Sequence, residues 1–339
     1  GHDLVIAIWP KVAHAEMQID LAGDTYRHRA GRHPFSCRVA AGRRHRTRVS
    51  RNARIPRLAC VRIYGRLVAY PFEGYLVETL LGHGGEAGVY RARRMTGDSG
   101  DRFASAVAIK ILDEDHRDDA GVARLAREFR VAQRFRHPHV IEVYEHGYYW
   151  MTMQYIDGGP ISRLTTMSTR LDALAQVADA LDCTHRSGIV HTDVKPTNIL
   201  VHQAFSPNDH SRGAVLVDFG AAHILAEDVW NRSGRMLASL PYAAPELLQG
   251  RLPQAATDEY ALACTALEVL TGLTPYAADN PSDLIDAHLH RPPPDVSALV
   301  PWLTRSFDVV FARSIAKDPD RRYESCAEMI QHIAAAIHR

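Results

Sequence analysis

The chain has 339 residues, of which 46% are apolar, and a formal net charge of +1. It is long enough to bury a large core, which fits two domains or one bilobal domain better than one small domain. The near-zero net charge points to no class of partner, and no stretch approaches the roughly 20 consecutive apolar residues that a membrane-spanning helix needs.

Charge is unevenly spread. Between Arg27 and Arg66 there are 13 Arg and no acidic residue, whereas from residue 71 onward 35 Asp/Glu face 26 Lys/Arg. Residues 1–70 thus read as a basic leader ahead of an acidic body. Leu4–Trp9 and Ala59–Ala69 have strand character, but nothing in the sequence joins them. Three readings stand for this leader: a disordered basic arm, an arm for nucleic acid or acidic lipid, and a leader foreign to the natural protein, since the chain opens on Gly1 rather than Met. The first is favoured over the second because basic runs are usually solvated chain. Val5–Pro10 is too short, and lacks the flanks, for a signal peptide. Cys37, Cys60, Cys183, Cys264 and Cys326 form no CxxC pair, and a reducing compartment is the simplest setting for them.

From about Phe72 the pattern changes. Tyr75–Leu81, Gly88–Arg93 and Ala106–Leu112 read as strands, followed by a helix over roughly Ala120–Phe135 and strand-like Val140–His146 and Tyr148–Tyr155. Beyond Gly158–Pro160 helices dominate. Leu171, Leu174, Ala178 and Leu181 give Thr169–Arg186 the 3.6-residue period, with Gly188 just past its end. Asp258–Thr271 stops at Gly272, and Ser325 with Glu328 has the spacing of a capping box opening Cys326–His338. Strands first and helices afterwards predict an α+β chain with two lobes, residues 71–157 and 158–339.

Leu81-Gly82-His83-Gly84-Gly85-Glu86-Ala87-Gly88-Val89-Tyr90 lies between two strands. Glycines there let backbone N–H groups approach a phosphate, although a Gly-rich hairpin alone is more often an ordinary turn. Lys110 follows on the third strand, between Ala108 and Leu112 on its own face; it reads either as a snorkelling edge lysine or as a cleft lysine with a carboxylate partner. Glu128 shares the helical stripe of Leu125, Ala132 and Phe135. An unpaired carboxylate there would be costly to bury, so Lys110 is its expected cation; a Glu reaching water at the stripe's margin is the alternative.

The strongest local signal is His191-Thr192-Asp193-Val194-Lys195-Pro196-Thr197-Asn198-Ile199-Leu200, which sets a carboxylate, an ammonium and an amide within six residues. Asp218-Phe219-Gly220 follows the apolar run Ala214–Val217. Asp218 and Asn198 offer hard oxygen ligands of the kind magnesium prefers.

In this order and spacing the motifs resemble the protein kinase superfamily, in particular eukaryotic-like (Hanks-type) bacterial Ser/Thr kinases of the actinobacterial receptor type. The resemblance implies the bilobal kinase fold, with a small β-rich lobe carrying one key helix and a larger mainly α lobe. It also implies transfer of the ATP γ-phosphate, with Mg2+ or alternatively Mn2+, to Ser/Thr of protein substrates, including autophosphorylation. Gly82, Gly84 and Gly85 would lie over the phosphates, and Lys110 would hold them and pair with Glu128. Val89, Ala108 and Leu200 would sandwich the adenine, Met153 would be the gatekeeper, and the backbone of Gln154 and Ile156 would form the hinge bonds. Asp193 would orient the acceptor hydroxyl and take its proton, Lys195 would steady the transferring group, and Asn198 and Asp218 would hold the metal. Glu246 of Ala244-Pro245-Glu246 would pair with Arg322, with Arg321 as competitor. Asp258 would brace the catalytic-loop backbone. Lys195, two residues after the base, and Ser239 favour Ser/Thr over Tyr as acceptor.

Two positions depart from the family. Ala87 stands for the loop's third glycine, from which slightly weaker ATP binding is expected. Thr192 stands where most regulated kinases have the Arg that receives an activation-loop phosphate. No Thr and only Ser233 and Ser239 lie between Asp218 and Glu246, so activity is expected not to depend on activation-loop phosphorylation. Ser206–Gly213 reads as an inserted, solvated hairpin tip. Rival functions are a nucleotide-binding pseudokinase and a small-molecule kinase; the retained Lys110, Asp193, Asp218, Lys195 and Ala-Pro-Glu segment weigh against both. A cytoplasmic protein, or the cytoplasmic domain of a single-pass membrane protein whose anchor lies beyond residue 339, is expected. A homodimer is compatible with this reading; a nucleic-acid partner is disfavoured.

Overall fold

Short strands separated by turn residues build the first part of the chain and amphipathic helices the second. The computed structural model describes residues 5–7, 60–63, 66–68, 70–95, 103–226 and 239–337. Contacts group it into two units: Gly1–His83 with Gly88–Ile109, and Gly84–Ala87 with Lys110–Arg339.

In the first unit β1 (Val5–Ala7), β2 (Cys60–Ile63) and β3 (Arg66–Val68) form an antiparallel sheet, with Ile6 opposite Val61 and Arg62 opposite Leu67. The two strand-like stretches of the leader are therefore joined to each other, across a sequence gap that no local pattern reveals; most of the basic segment lies outside the described residues. Next come β4 (Tyr70–Phe72), β5 (Tyr75–His83), β6 (Ala87–Met95) and β7 (Phe103–Leu112), hydrogen-bonded in that order. Tyr75, Val77, Ala92, Ala108 and Ile109 supply the buried side chains of this unit, and Glu78 bridges Arg91 and Arg93 across the β5–β6 ladder.

The second unit takes over at Lys110, near the end of β7. It contains α1 (Asp119–Ala132), capped by the Asp118 carboxylate on the Gly121 N–H at 2.8 Å, and the β8 (Val143–His146) and β9 (Trp150–Gln154) hairpin. By these contacts α1 and this hairpin group with the helices that follow. After β10 (Gly159–Pro160) come α2 (Met167–Arg186), β11 (Ile189–Val190), β12 (Ile199–Val201), β13 (Ala214–Leu216) and β14 (His223–Ile224). The remaining helices are α3 (Pro245–Leu248), α4 (Ala255–Thr271), α5 (Pro281–His290), α6 (Val296–Leu299), α7 (Arg305–Ser314) and α8 (Cys326–Ile337).

The core lies around α4, whose residues from Thr257 to Leu267 are all buried, as expected of a helix without a polar face. It opens three residues before the expected Asp258 because Gln254 and Thr257 cap each other's backbone N–H groups. Gly188 and Gly272 close α2 and α4 at φ +72° and +80°, a conformation that costs glycine nothing. Ser325 caps α8 through the Glu328 N–H at 3.1 Å, but the reciprocal carboxylate bond goes to Glu324 (3.0 Å). The Asp182 carboxylate takes the Cys326 and Ala327 N–H groups instead, at 2.9 and 3.0 Å. The inserted tip Ser206–Gly213 closes through Ser206 N–H to Arg212 carbonyl (3.1 Å), with His210 against the buried ring of His139 (3.1 Å between nitrogens). Among the described residues no helix is long and apolar enough to cross a membrane.

Candidate active site

Two small antiparallel pairings set the site. In β12–β13, Ile199 lies opposite Leu216, so Asn198 and Asp218 leave the ladder at the same end. In β11–β14, Val190 lies opposite His223, so the residues after Val190 and those before His223 also emerge together. The loops 191–198 and 217–222 are thereby laid side by side.

Against them stands Lys110. Its ammonium donates to both Glu128 oxygens at 2.6 and 2.8 Å and reaches Asp218 Oδ1 at 3.3 Å. Lys110 and Glu128 are 7% and 4% exposed, which rules out both the snorkelling lysine and the Glu at the stripe's margin. Burying either charge alone would be expensive; the pairing and the bidentate geometry offset that cost. Asp218 has φ +64°, and its Oδ1 also accepts the Gly220 N–H at 3.3 Å. Phe219 behind it is buried between Phe135 and the His191 ring, at centroid distances of 5.6 and 4.8 Å.

Asp193 collects donors. Lys195 Nζ lies 3.0 and 2.9 Å from its two oxygens, the Asn198 amide donates to Oδ2 and to the backbone carbonyl at 2.9 and 2.8 Å, and the Ser239 hydroxyl donates to Oδ1 at 2.5 Å. Lys195 also reaches Ser239 Oγ at 2.9 Å. An anchored carboxylate, an ammonium and an alcohol thus surround one point, and a second carboxylate, on Asp218, sits beside a buried ammonium.

The protein kinase domain family matches residues 75–333. The chain belongs to the protein kinase family. Over 279 residues it is 37% identical to the serine/threonine-protein kinase PknJ of Mycobacterium tuberculosis, covering 79% of this chain and 46% of that protein. It is 35% identical to PknF of the same species over 271 residues (76% and 55%) and 33% identical to PknH over 269 (76% and 41%). The chain therefore spans about half the length of the curated relatives it matches. It carries a Ser/Thr protein kinase domain of the bacterial Hanks type, with the α+β fold of that family.

Other expected residues of the kinase domain fall as follows. Arg322 grips both oxygens of Glu246, at 2.8 and 2.9 Å, with both side chains buried, whereas Arg321 is exposed. Asp258, fully buried, accepts the backbone N–H groups of His191 and Thr192 at 2.7 Å each. Met153 is buried on β9, and the Gln154 N–H donates to the Glu142 carbonyl (2.8 Å). Ile156 is buried and Leu200 half-buried on β12. In the first unit Ala108 is buried on β7, Val89 is half-buried on β6, and Gly82 is exposed at the end of β5. The tip of the glycine loop belongs to the second unit: Glu86 accepts the Asp113 N–H on its carbonyl (3.0 Å) and faces Arg124 of α1 at 3.4 Å. A Cβ built on Gly82 or Gly85 meets nothing within 4 Å, and on Gly84 only the Ala87 carbonyl at 3.8 Å. Protein packing therefore does not demand glycine at these positions. The donor set fits magnesium: Asp218 and Asn198 supply carboxylate and amide oxygens at one end of one ladder. Ser233 lies outside the described residues.

Three partners escaped the sequence reading. His185 of α2 holds Asp258 Oδ2 at 2.8 Å, the Thr192 hydroxyl donates to the Ala221 carbonyl at 2.8 Å, and Arg127 donates to the Ala222 carbonyl at 2.7 Å. His185 and Arg127 sit in no periodic or spaced pattern that would have marked them, and Thr192 stood out only as a departure from the family, not for the carbonyl it meets.

Proposed function

We propose that this chain transfers the γ-phosphoryl group of ATP to Ser or Thr hydroxyls of protein substrates, its own included. The observation that carries the proposal is the buried Lys110 ammonium bracketed by Glu128 and Asp218. Held there, Lys110 would bind the α- and β-phosphates, and the backbone of Gly84 and Gly85 would lie over them. Asn198 and Asp218 would hold magnesium, which supplies charge neutralisation at the phosphate oxygens when bound. Asp193, anchored by Lys195 and Ser239, would orient the acceptor hydroxyl and take its proton, while Lys195 would steady the transferred group. Met153, the carbonyl of Gln154, the backbone of Ile156, and Leu200 would meet the adenine; for Gly82, Val89 and Ala108 the family resemblance alone supports the assignment.

We further propose a kinase that does not require phosphate on its activation segment, because Thr192 carries no charge with which to receive one. It would act in the cytoplasm or as the cytoplasmic part of a membrane protein. The test is transfer from radiolabelled ATP: the unaltered chain labels itself or an added protein, and Asp193→Asn abolishes labelling. Binding of nucleotide without transfer would leave a pseudokinase. Ser233→Ala should keep activity within about tenfold, since a segment that needs no phosphate loses little with that hydroxyl.

A further inference from the structure

Thr192 is a β-branched residue at φ +65°, a conformation that costs of order 1–3 kcal/mol and persists only where its surroundings over-determine it. Here they do. Asp258 fixes the N–H groups of His191 and Thr192 from behind, and in that pose the Thr192 hydroxyl meets the Ala221 carbonyl at 2.8 Å. One residue on, the Ala222 carbonyl accepts from Arg127 at 2.7 Å. Arg127 adjoins Glu128 on α1, so the helix that gives Lys110 its carboxylate also grips the chain at Ala222, just past Asp218 and Phe219. The β11–β14 register brings these groups together: Val190 lies opposite His223, which leaves Thr192 facing Ala221.

We infer that Thr192 and Arg127 are positioning residues, a latch of two neutral-acceptor hydrogen bonds. The latch holds residues 218–222 where Asp218 faces Lys110, and so replaces the phosphate clamp that an arginine at position 192 would need. This rests on the kinase reading above. Each bond ends on a backbone carbonyl, so it forms whether or not the activation segment carries phosphate. Loss of the Thr192 hydroxyl removes the donor to half-buried Ala221, and loss of Arg127 the donor to buried Ala222, and the segment then gains freedom to swing Asp218 away from the ammonium.

The test uses the full chain treated with phosphatase and shown by mass spectrometry to be unphosphorylated. Thr192→Val, Thr192→Ser, Arg127→Met and the Val/Met double variant are compared in two readouts. The first is steady-state transfer to myelin basic protein. The second is hydrogen exchange of the 219–224 backbone without nucleotide, which needs no activity. Thr192→Val and Arg127→Met should each lower kcat about tenfold, the double variant more, with KM for acceptor within about threefold, and all three should speed exchange at 219–224. Thr192→Ser, which keeps the hydroxyl, should retain at least about half of kcat. Unchanged exchange in the double variant overturns the latch, as does a Thr192→Ser variant no better than Thr192→Val. If Thr192→Val does not fold, Arg127→Met, on a different element, decides. A chain that transfers no phosphate even unaltered overturns the kinase reading, and the exchange arm still judges the latch.

Discussion

Glu259 offers a quantitative test of the packing around the catalytic loop. It follows Asp258 on α4, is 2% exposed, and its Oε2 has no hydrogen-bond partner among the described residues. Burial pushes its carboxyl from 4.5 up to about 7, against the partly compensating Arg322 and His185 charges. A raised folded value means that the folded state holds its proton to higher pH than the unfolded chain does. The stability it contributes is therefore complete below about pH 4.5 and is lost as pH rises through about 7. A shift of this size is worth about 3 kcal/mol when fully expressed. Glu259→Gln mimics the protonated form. It should stabilise the fold by about 3 kcal/mol at pH 8 and by only about 1 kcal/mol at pH 5, where the folded carboxyl is already protonated. Urea unfolding of both proteins at the two pH values measures this difference directly. Equal effects at pH 5 and pH 8, or a destabilisation at pH 8, would refute the idea of a charge forced into an unpartnered site.

Arg322→Leu strands the buried Glu246 carboxylate and should cost about 3–5 kcal/mol in urea unfolding, whereas Arg321→Leu on the exposed neighbour should stay within about 0.5 kcal/mol. Gly84→Ala meets only the Ala87 carbonyl, at an ordinary contact distance of 3.8 Å, so its melting temperature should be unchanged while KM for ATP rises several-fold; a fall in stability instead would point to a packing role. Lys110→Met leaves Glu128 buried without its cation and should both abolish transfer and lower stability by about 3 kcal/mol or more. His288 donates no bond from its buried Nε2 among the described residues, and burial beside Lys317 lowers its ring from 6.5 to about 4. Its stabilising contribution is present above about pH 6.5 and is lost as pH falls toward 4, and His288→Gln should flatten that limb of the stability profile.

The sequence revealed what periodicity and spacing encode. The stripe through Leu125, Ala132 and Phe135 placed Glu128 inward and so predicted its cation; α2 showed in its apolar period, α2 and α4 in their closing glycines, and α8 in the Ser325–Glu328 spacing. Arg322, rather than Arg321, as the partner of Glu246 was a narrow choice that burial decides. What stayed hidden depends on strands of two and three residues, too short to display alternation. The β11–β14 and β12–β13 registers alone determine that Thr192 meets Ala221 and that Asn198 and Asp218 leave together. The pairing of Val5–Ala7 with Cys60–Ile63 was hidden likewise, because nothing local signals a partner so far along the chain.

The grip of Asp258 on the His191 and Thr192 amides comes from α4, outside the loop it shapes. Scaffold and chemistry are therefore separable in this segment. Side chains that act on substrate can be exchanged while the main chain keeps its course, so a descendant could shed transfer and retain a nucleotide-shaped frame, and an engineer could install a different reactive group at position 193 without redesigning what lies beneath it.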